Sequence, residues 1–277
     1  MKVSRKIKNL RILTILSCLG ALFISGIAAA GPVDCGSSPI RVGQFKLGYR
    51  YYIENGQEKG MNKDIMEEIK KRTGCLFITQ EMPFARLWAD LSSGEIDMTL
   101  SGIRSPERDK TLWCIPSITA KNFVVIGPQA QASVKNAADF IANEKLQFGM
   151  VRGYTHGKEL DAKLDRLKQD GRVEESGNVD VLFEKLKHGR IDGFYSFPFV
   201  YRKNISELSM EKDVTIQDWA PKDPGIVGCM MLTKQRFSED EAKRWNALVQ
   251  QMRADGTLKR IFVRYVSPSE ADKMLNF

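Results

Sequence analysis

Two arginines, Arg104 and Arg108, stand in a polar turn, Ser101-Gly-Ile-Arg-Ser-Pro-Glu-Arg108, that follows an apolar run ending at Leu100. A guanidinium is a planar fork of donors and meets a carboxylate or a phosphate with two parallel hydrogen bonds. Arg50 and Arg152 also lie near predicted strand ends, so the group suits an anion with more than one carboxylate, or a phosphate. A second polar segment, Arg152-Gly-Tyr-Thr-His-Gly157, opens a predicted helix, and a small-residue loop in that place presents free backbone N–H groups to an anion. Tyr49 can stack on a ligand, although a half-buried strand accounts for it equally well. There is no nucleophile elbow, no P-loop and no pair of carboxylates after the strand ends, and the two histidines, His156 and His188, are isolated. Binding without catalysis, metal or cofactor is the expectation.

The elements that must hold these turns in place carry a repeat. Leu91-Ser-Ser-Gly-Glu-Ile-Asp97 recurs as Leu186-Lys-His-Gly-Arg-Ile-Asp192, each copy preceded by an amphipathic helix and followed by an apolar strand. The glycine of each copy ends its helix in the left-handed conformation, and the strand after it carries side chains to its C-terminal edge. Asp97 and Asp192 open those strands, where a structural role outweighs acid-base chemistry. Strands over 40–45, 75–79 and 96–100 alternate with helices over 62–72 and 84–91, the βαβαβ order of a mostly parallel sheet flanked by helices. Two copies imply two such α/β lobes. Ligands bind beyond the carboxyl ends of strands in open α/β sheets, so 101–108 and 196–201 face one cleft. The first lobe is expected over 31–126 and 228–277 and the second over 127–227, with two hinge crossings near 123–127 and 225–229. The helical tail should pack back on the first lobe.

Residues 1–30 read as a secretory signal peptide cleaved after Ala30: Lys2, Arg5, Lys6, Lys8 and Arg11, then an apolar run, then Ala28-Ala-Ala30. The apolar run is short and interrupted for a spanning helix of about 20 residues. Removing those five basic residues lowers the formal net charge from +8 to about +3, and with it any case for nucleic acid as a partner. It also leaves four cysteines, Cys35, Cys75, Cys114 and Cys229, an even number in an exported chain. Of the three pairings, Cys35 with Cys75 is favoured, because one precedes the first strand and the other opens the second. Cys114 and Cys229 either pair or remain buried thiols.

Gly60-Met-Asn-Lys-Asp64, the Leu-x-x-Gly-x-Ile-Asp segment, Ser105-Pro-Glu-Arg108 with its following Pro-containing turn, the Gly-Tyr-Thr loop and Asp255-Gly-Thr257 together resemble extracellular solute-binding proteins of family 3. Those are the polar amino-acid binders of ATP-driven (ABC) importers, and the resemblance spans roughly 35–274. It implies a two-lobed type II periplasmic-binding-protein clamshell, monomeric, in the periplasm, delivering its solute to a membrane permease. It also implies that Arg108 pairs with a ligand carboxylate. Ser101, Gly102 and Ser105 match turn positions that supply backbone or hydroxyl contacts, and Tyr154 and Thr155 match the loop that completes them from the second lobe. The chain departs from the pattern at Arg104, where an apolar or hydroxyl residue is usual. It departs again where an acidic residue commonly holds the ligand ammonium, here Ser196 or Phe197. Relatives of this fold also include periplasmic dehydratases of cyclohexadienyl acids, and ligand-sensing accessory modules are a third reading.

Overall fold

The computed structural model describes Met1 and residues 32–277. The secretory leader expected over 1–30 and its cleavage site lie, Met1 apart, outside the described residues. The first stretch runs β1 (Ile40–Gln44), a hairpin of β2 (Tyr52–Glu54) and β3 (Gln57–Lys59), α1 (Met61–Thr73), β4 (Phe77–Glu81), α2 (Phe84–Ser93), β5 (Met98–Ile103), α3 (Arg108–Thr111) and β6 (Leu112–Ala120). The second runs β7 (Phe123–Ile126), α4 (Ala137–Ala142), β8 (Phe148–Val151), α5 (Lys158–Gln169), β9 (Val173–Ser176), α6 (Val179–Lys187), β10 (Gly193–Ser196), α7 (Pro198–Glu207) and β11 (Thr215–Gln217). The chain returns in β12 (Ile226–Thr233) and ends in α8 (Glu239–Ala254), α9 (Thr257–Phe262) and α10 (Pro268–Met274).

Two five-stranded sheets result, ordered β4-β1-β5-β12-β6 and β11-β7-β10-β8-β9. In each, three strands are parallel, and the strand that follows a crossing, β12 or β7, pairs antiparallel to both its neighbours. This is the expected α/β clamshell with helices flanking each sheet. One boundary differs from expectation. Strand 123–126, placed at the end of the first lobe, pairs with β10 and β11 in the second sheet, so the outward crossing is Lys121–Asn122. Phe-Val-Val-Ile is apolar throughout, and nothing in it tells which sheet it joins. The return crossing likewise precedes Ile226, because β12 lies wholly in the first sheet. The two crossings lie side by side: Lys121 pairs with Asp218 at 2.7 Å, and a Cβ on Gly225 would stand 3.0 Å from the Ala120 carbonyl.

The tail packs on the first lobe, as expected. Ser238 and Ser267 each close a capping box with the glutamate three residues on, fixing where α8 and α10 begin. Arg72 at the end of α1 donates to Asp255 and to the Thr257 hydroxyl, joining α1 to α9. Trp245, Val249 and Met252 on α8 are buried, and each such side chain contributes roughly 1.5–3 kcal/mol. Both cysteine pairs are bonded: Cys35–Cys75 ties the N-terminal segment to the start of β4, and Cys114–Cys229 ties β6 to β12. No helix among the described residues is long and apolar enough to cross a membrane.

The repeat is structural at both copies. Gly94 and Gly189 take φ of 79° and 67° and end α2 and α6. One Asp97 oxygen accepts the Arg41 backbone N–H and one Asp192 oxygen that of Gln147, both at 2.7 Å, so each carboxylate pins the start of a neighbouring parallel strand. Asp97 carries more: it is 1% exposed and receives the guanidiniums of Arg41 and Arg236 at 2.7 Å. Burial alone would push its carboxyl up, but those donors outweigh burial and hold it below the ordinary carboxylate value. A depressed folded-state pKa gives stability that is present above the unfolded value, near 4, and is lost as pH falls through the folded one. We expect Asp97→Asn to lose about 3 kcal/mol at pH 7, because it strands two guanidiniums. The variant should also show less acid dependence below about pH 4 in urea unfolding; a loss under about 1 kcal/mol would refute this role.

Candidate functional site

The C-terminal ends of β1 and β5 face the loop after β8 and the segment after β10, and the two lobes meet there. Tyr49 N–H donates to the Phe199 carbonyl at 2.8 Å, and the rings of Phe84 and Tyr154 pack edge-on with centroids 4.7 Å apart, so the cleft is shut. Between the lobes lies a cavity of about 70 Å³. On the first-lobe side its wall is Phe45, Leu47 and Arg50 after β1, Phe84 and Trp88 of α2, Leu100 to Ile103 of β5, and Arg108. Gly153, Tyr154, Thr155, Phe197 and Phe199 close it from the second lobe, and Ile118, Ala120, Ile226 and Gly228 close it from the strands at the crossings.

Arg108 opens α3, where the Ser105 hydroxyl accepts its backbone N–H at 3.3 Å. Its guanidinium carbon lies over the Trp88 ring, 3.5 Å from the centroid, and Nη1 donates to the Ile103 carbonyl at 2.6 Å. Stacking and a carbonyl anchor fix the plane of the fork. Burial pulls its pKa down to about 10, which still leaves it charged at neutral pH. Arg50 is the second cation on the wall. It is 2% exposed, Nη2 donates to the Leu100 carbonyl at 2.5 Å, and Nη1 has no partner among the described residues. Burial pulls it, too, down to about 10. Across the cavity the Thr155 hydroxyl donates to Asp161 at 2.6 Å, and His156 adds its backbone N–H to the same carboxylate. Burial would raise the Asp161 pKa, but the His156 and Thr155 hydrogen bonds outweigh it and keep the carboxylate ionised as the brace of this loop.

Of the expected site residues, Arg108, Ser101, Gly102, Tyr154 and Thr155 line the cavity. Ser105 does not, and acts on it only through the Arg108 amide. Arg104 is 70% exposed and turned to Asp109, so it leaves the site. Arg152 is 77% exposed and pairs with Glu175 of the adjacent strand β9. In both cases a carboxylate nearby in space holds the guanidinium outside. Tyr49 packs on Tyr52 and Tyr265 and serves the contact between lobes rather than the wall. Ser196 is buried at the end of β10; its neighbour Phe197 reaches the cavity instead. Trp88 also stands on the wall, a place that an apolar helix residue does not announce. On α2 it shares a face with Phe84, whereas Leu87 and Leu91 form the stripe that is buried in the core. A helix with two apolar stripes was the available signal.

A family model described as bacterial extracellular solute-binding proteins, family 3, matches residues 45–268, which take in most of both lobes and the whole cavity wall. The chain belongs to that family. Among its relatives, the probable amino-acid-binding protein YxeM of Bacillus subtilis is 20% identical over 267 residues, 94% of this chain and 96% of its own. An ancestral arginine-binding protein with bound arginine superposes with a TM-score of 0.68 at 22% identity, over 83% of this chain and 98% of its own. A putative L-cystine ABC transporter protein of Listeria monocytogenes gives 0.66 at 21% identity, over 85% and 99%. Family 3 thus fixes the fold, and the cavity lies where two such lobes meet.

Proposed function

We propose that this chain is the periplasmic solute-capturing component of an ABC importer, working as a monomer that closes its lobes over a small carboxylate-bearing solute and delivers it to a membrane permease. The observation that carries the reading is Arg108, charged and fixed on Trp88 and the Ile103 carbonyl, inside a shut, largely apolar cavity between the lobes. The other wall residues with polar groups, Ser101, Gly102, Tyr154 and Thr155, complete the contacts. The leader sends the chain across the cytoplasmic membrane, with cleavage after Ala30. The crossings at Lys121–Asn122 and 218–225 allow hinge closure with little change inside either lobe. Among the described residues the wall bears no carboxylate or imidazole to move a proton, which favours holding a solute over turning it over.

Native mass spectrometry of freshly purified protein identifies the solute, and small-angle scattering with and without it reads closure. Gly48 makes the closure specific. It sits at φ 53° against α7, where an added Cβ would lie 2.4 Å from the Phe199 carbonyl and 2.5 Å from the Val200 Cα. Gly48→Ala, outside the cavity, should therefore oppose closure and weaken binding at least about tenfold, or about 1.4 kcal/mol. Wild-type affinity together with wild-type compaction in this variant would exclude closure by this contact.

A further inference from the structure

We infer that the captured solute is an organic acid with an apolar body and no ammonium group, a conclusion that rests on the capture role proposed for this cavity. Among the described residues the charges on the wall are those of Arg50 and Arg108, and no Asp or Glu lines it. A zwitterionic amino acid adds no net charge and leaves that excess untouched. A carboxylate without an ammonium offsets it. At the end of β5 the nearest acceptors each already take a donor: the Leu100 and Ile103 carbonyls take the two guanidiniums, and the Ser101 hydroxyl accepts from Asn62. Asp161 beyond Thr155 is held by Thr155 and His156. An ammonium enclosed here would lose its water, gain no anion and stand near two like charges, each of which disfavours it. The space where its partner would stand on the second lobe is aromatic, since Phe197 stacks on Phe199 with centroids 5.3 Å apart and 19° between the planes. With Phe84 and Trp88 opposite, these rings offer an apolar body its contacts. Arg50, whose Nη1 has no partner among the described residues, adds a second positive charge on the wall for the acid.

The test is calorimetry on the wild-type protein, stripped of co-purified solute by unfolding and refolding with its disulfides intact. Two matched pairs differ only in the ammonium: 3-phenylpropanoate with L-phenylalanine, and 4-methylpentanoate with L-leucine. The acid is expected to bind at least tenfold tighter than its amino acid in at least one pair. Phe197→Asp, which sets a carboxylate on the wall, should shrink or reverse that preference. Should this variant fail to fold, the wild-type pairs decide alone. Equal or tighter binding of the amino acids overturns the inference and leaves the capture role standing. If none of the four binds at millimolar concentration, the inference falls. If adding back the stripped solute also produces no compaction, the capture role falls with it.

Discussion

Arg108→Ala is expected to weaken binding of the protein's solute by about 2–5 kcal/mol, because truncation leaves the ligand carboxylate in a closed, desolvated cavity without its fork. The guanidinium is held before the ligand arrives, by the Trp88 ring at 3.5 Å and the Ile103 carbonyl at 2.6 Å, so little ordering is left for binding to supply. Arg108→Lys keeps a charge but loses the planar fork and its fit on the indole, and should recover only part of the loss. The unliganded melting temperature should fall only slightly, since a guanidinium over an exposed or partly exposed ring contributes about 0.5–1 kcal/mol. Saturation separates the two effects. Wild-type protein with solute at about 100 times its dissociation constant gains roughly 2.7 kcal/mol of stability, and the Ala variant at the same concentration should lose most of that gain. Near-wild-type affinity in a folded Arg108→Ala protein would move the anchor to Arg50.

What the sequence made legible was local and periodic. The repeat could be read because a helix-ending glycine and a strand-opening aspartate do their work within a few residues, and both copies keep the same backbone contact at 2.7 Å. The place of Arg108 was legible for a related reason, since a turn that follows a buried strand must emerge at the strand's carboxyl edge. Its inward direction was not a local property. Arg104 and Arg152 emerge at comparable edges, yet Asp109 and Glu175 turn them outward. Arg50 turns inward because the Leu100 carbonyl, fifty residues away in sequence, receives it. The aromatic wall was hidden for the converse reason: an apolar residue reads as core whether it faces a packed interior or a cavity. Phe84 and Phe199 therefore carried no sign of their place, Trp88 only a second apolar stripe on α2 and Phe197 only its position in the resemblance, until both lobes stood on either side of the cavity.

Replacing Cys114 and Cys229 together by serine is expected to cost as much as about 5 kcal/mol in equilibrium unfolding, against about 4 kcal/mol for Cys35 with Cys75, by the loop-closure relation. The sequence separations are 115 and 40 residues. The longer loop contains the whole second lobe. Its bond therefore restricts the unfolded chain far more than it adds to β6 and β12, which already pair along their length from Leu112 to Ala120. The two bonds should differ more sharply in their effect on binding. Cys35–Cys75 lies at the N-terminal edge of the first sheet, opposite the cavity, and its loss should leave affinity unchanged in protein that remains folded. Cys229 follows Gly228 of the cavity wall, at a point where the register of β12 shifts against both neighbours. Gly228 itself leaves no spare room, since a Cβ there would stand 2.6 Å from an Ile118 side-chain carbon. Without the bond at this break in register the wall around Gly228 and Ile118 is held less firmly, so the Cys114→Ser/Cys229→Ser protein should bind its solute more weakly as well as unfold more readily. Urea unfolding and calorimetry on both double variants check the two statements separately, and a loss of stability below about 1 kcal/mol in the Cys114 and Cys229 variant would show that β6 and β12 hold the unfolded chain's largest loop closed without it.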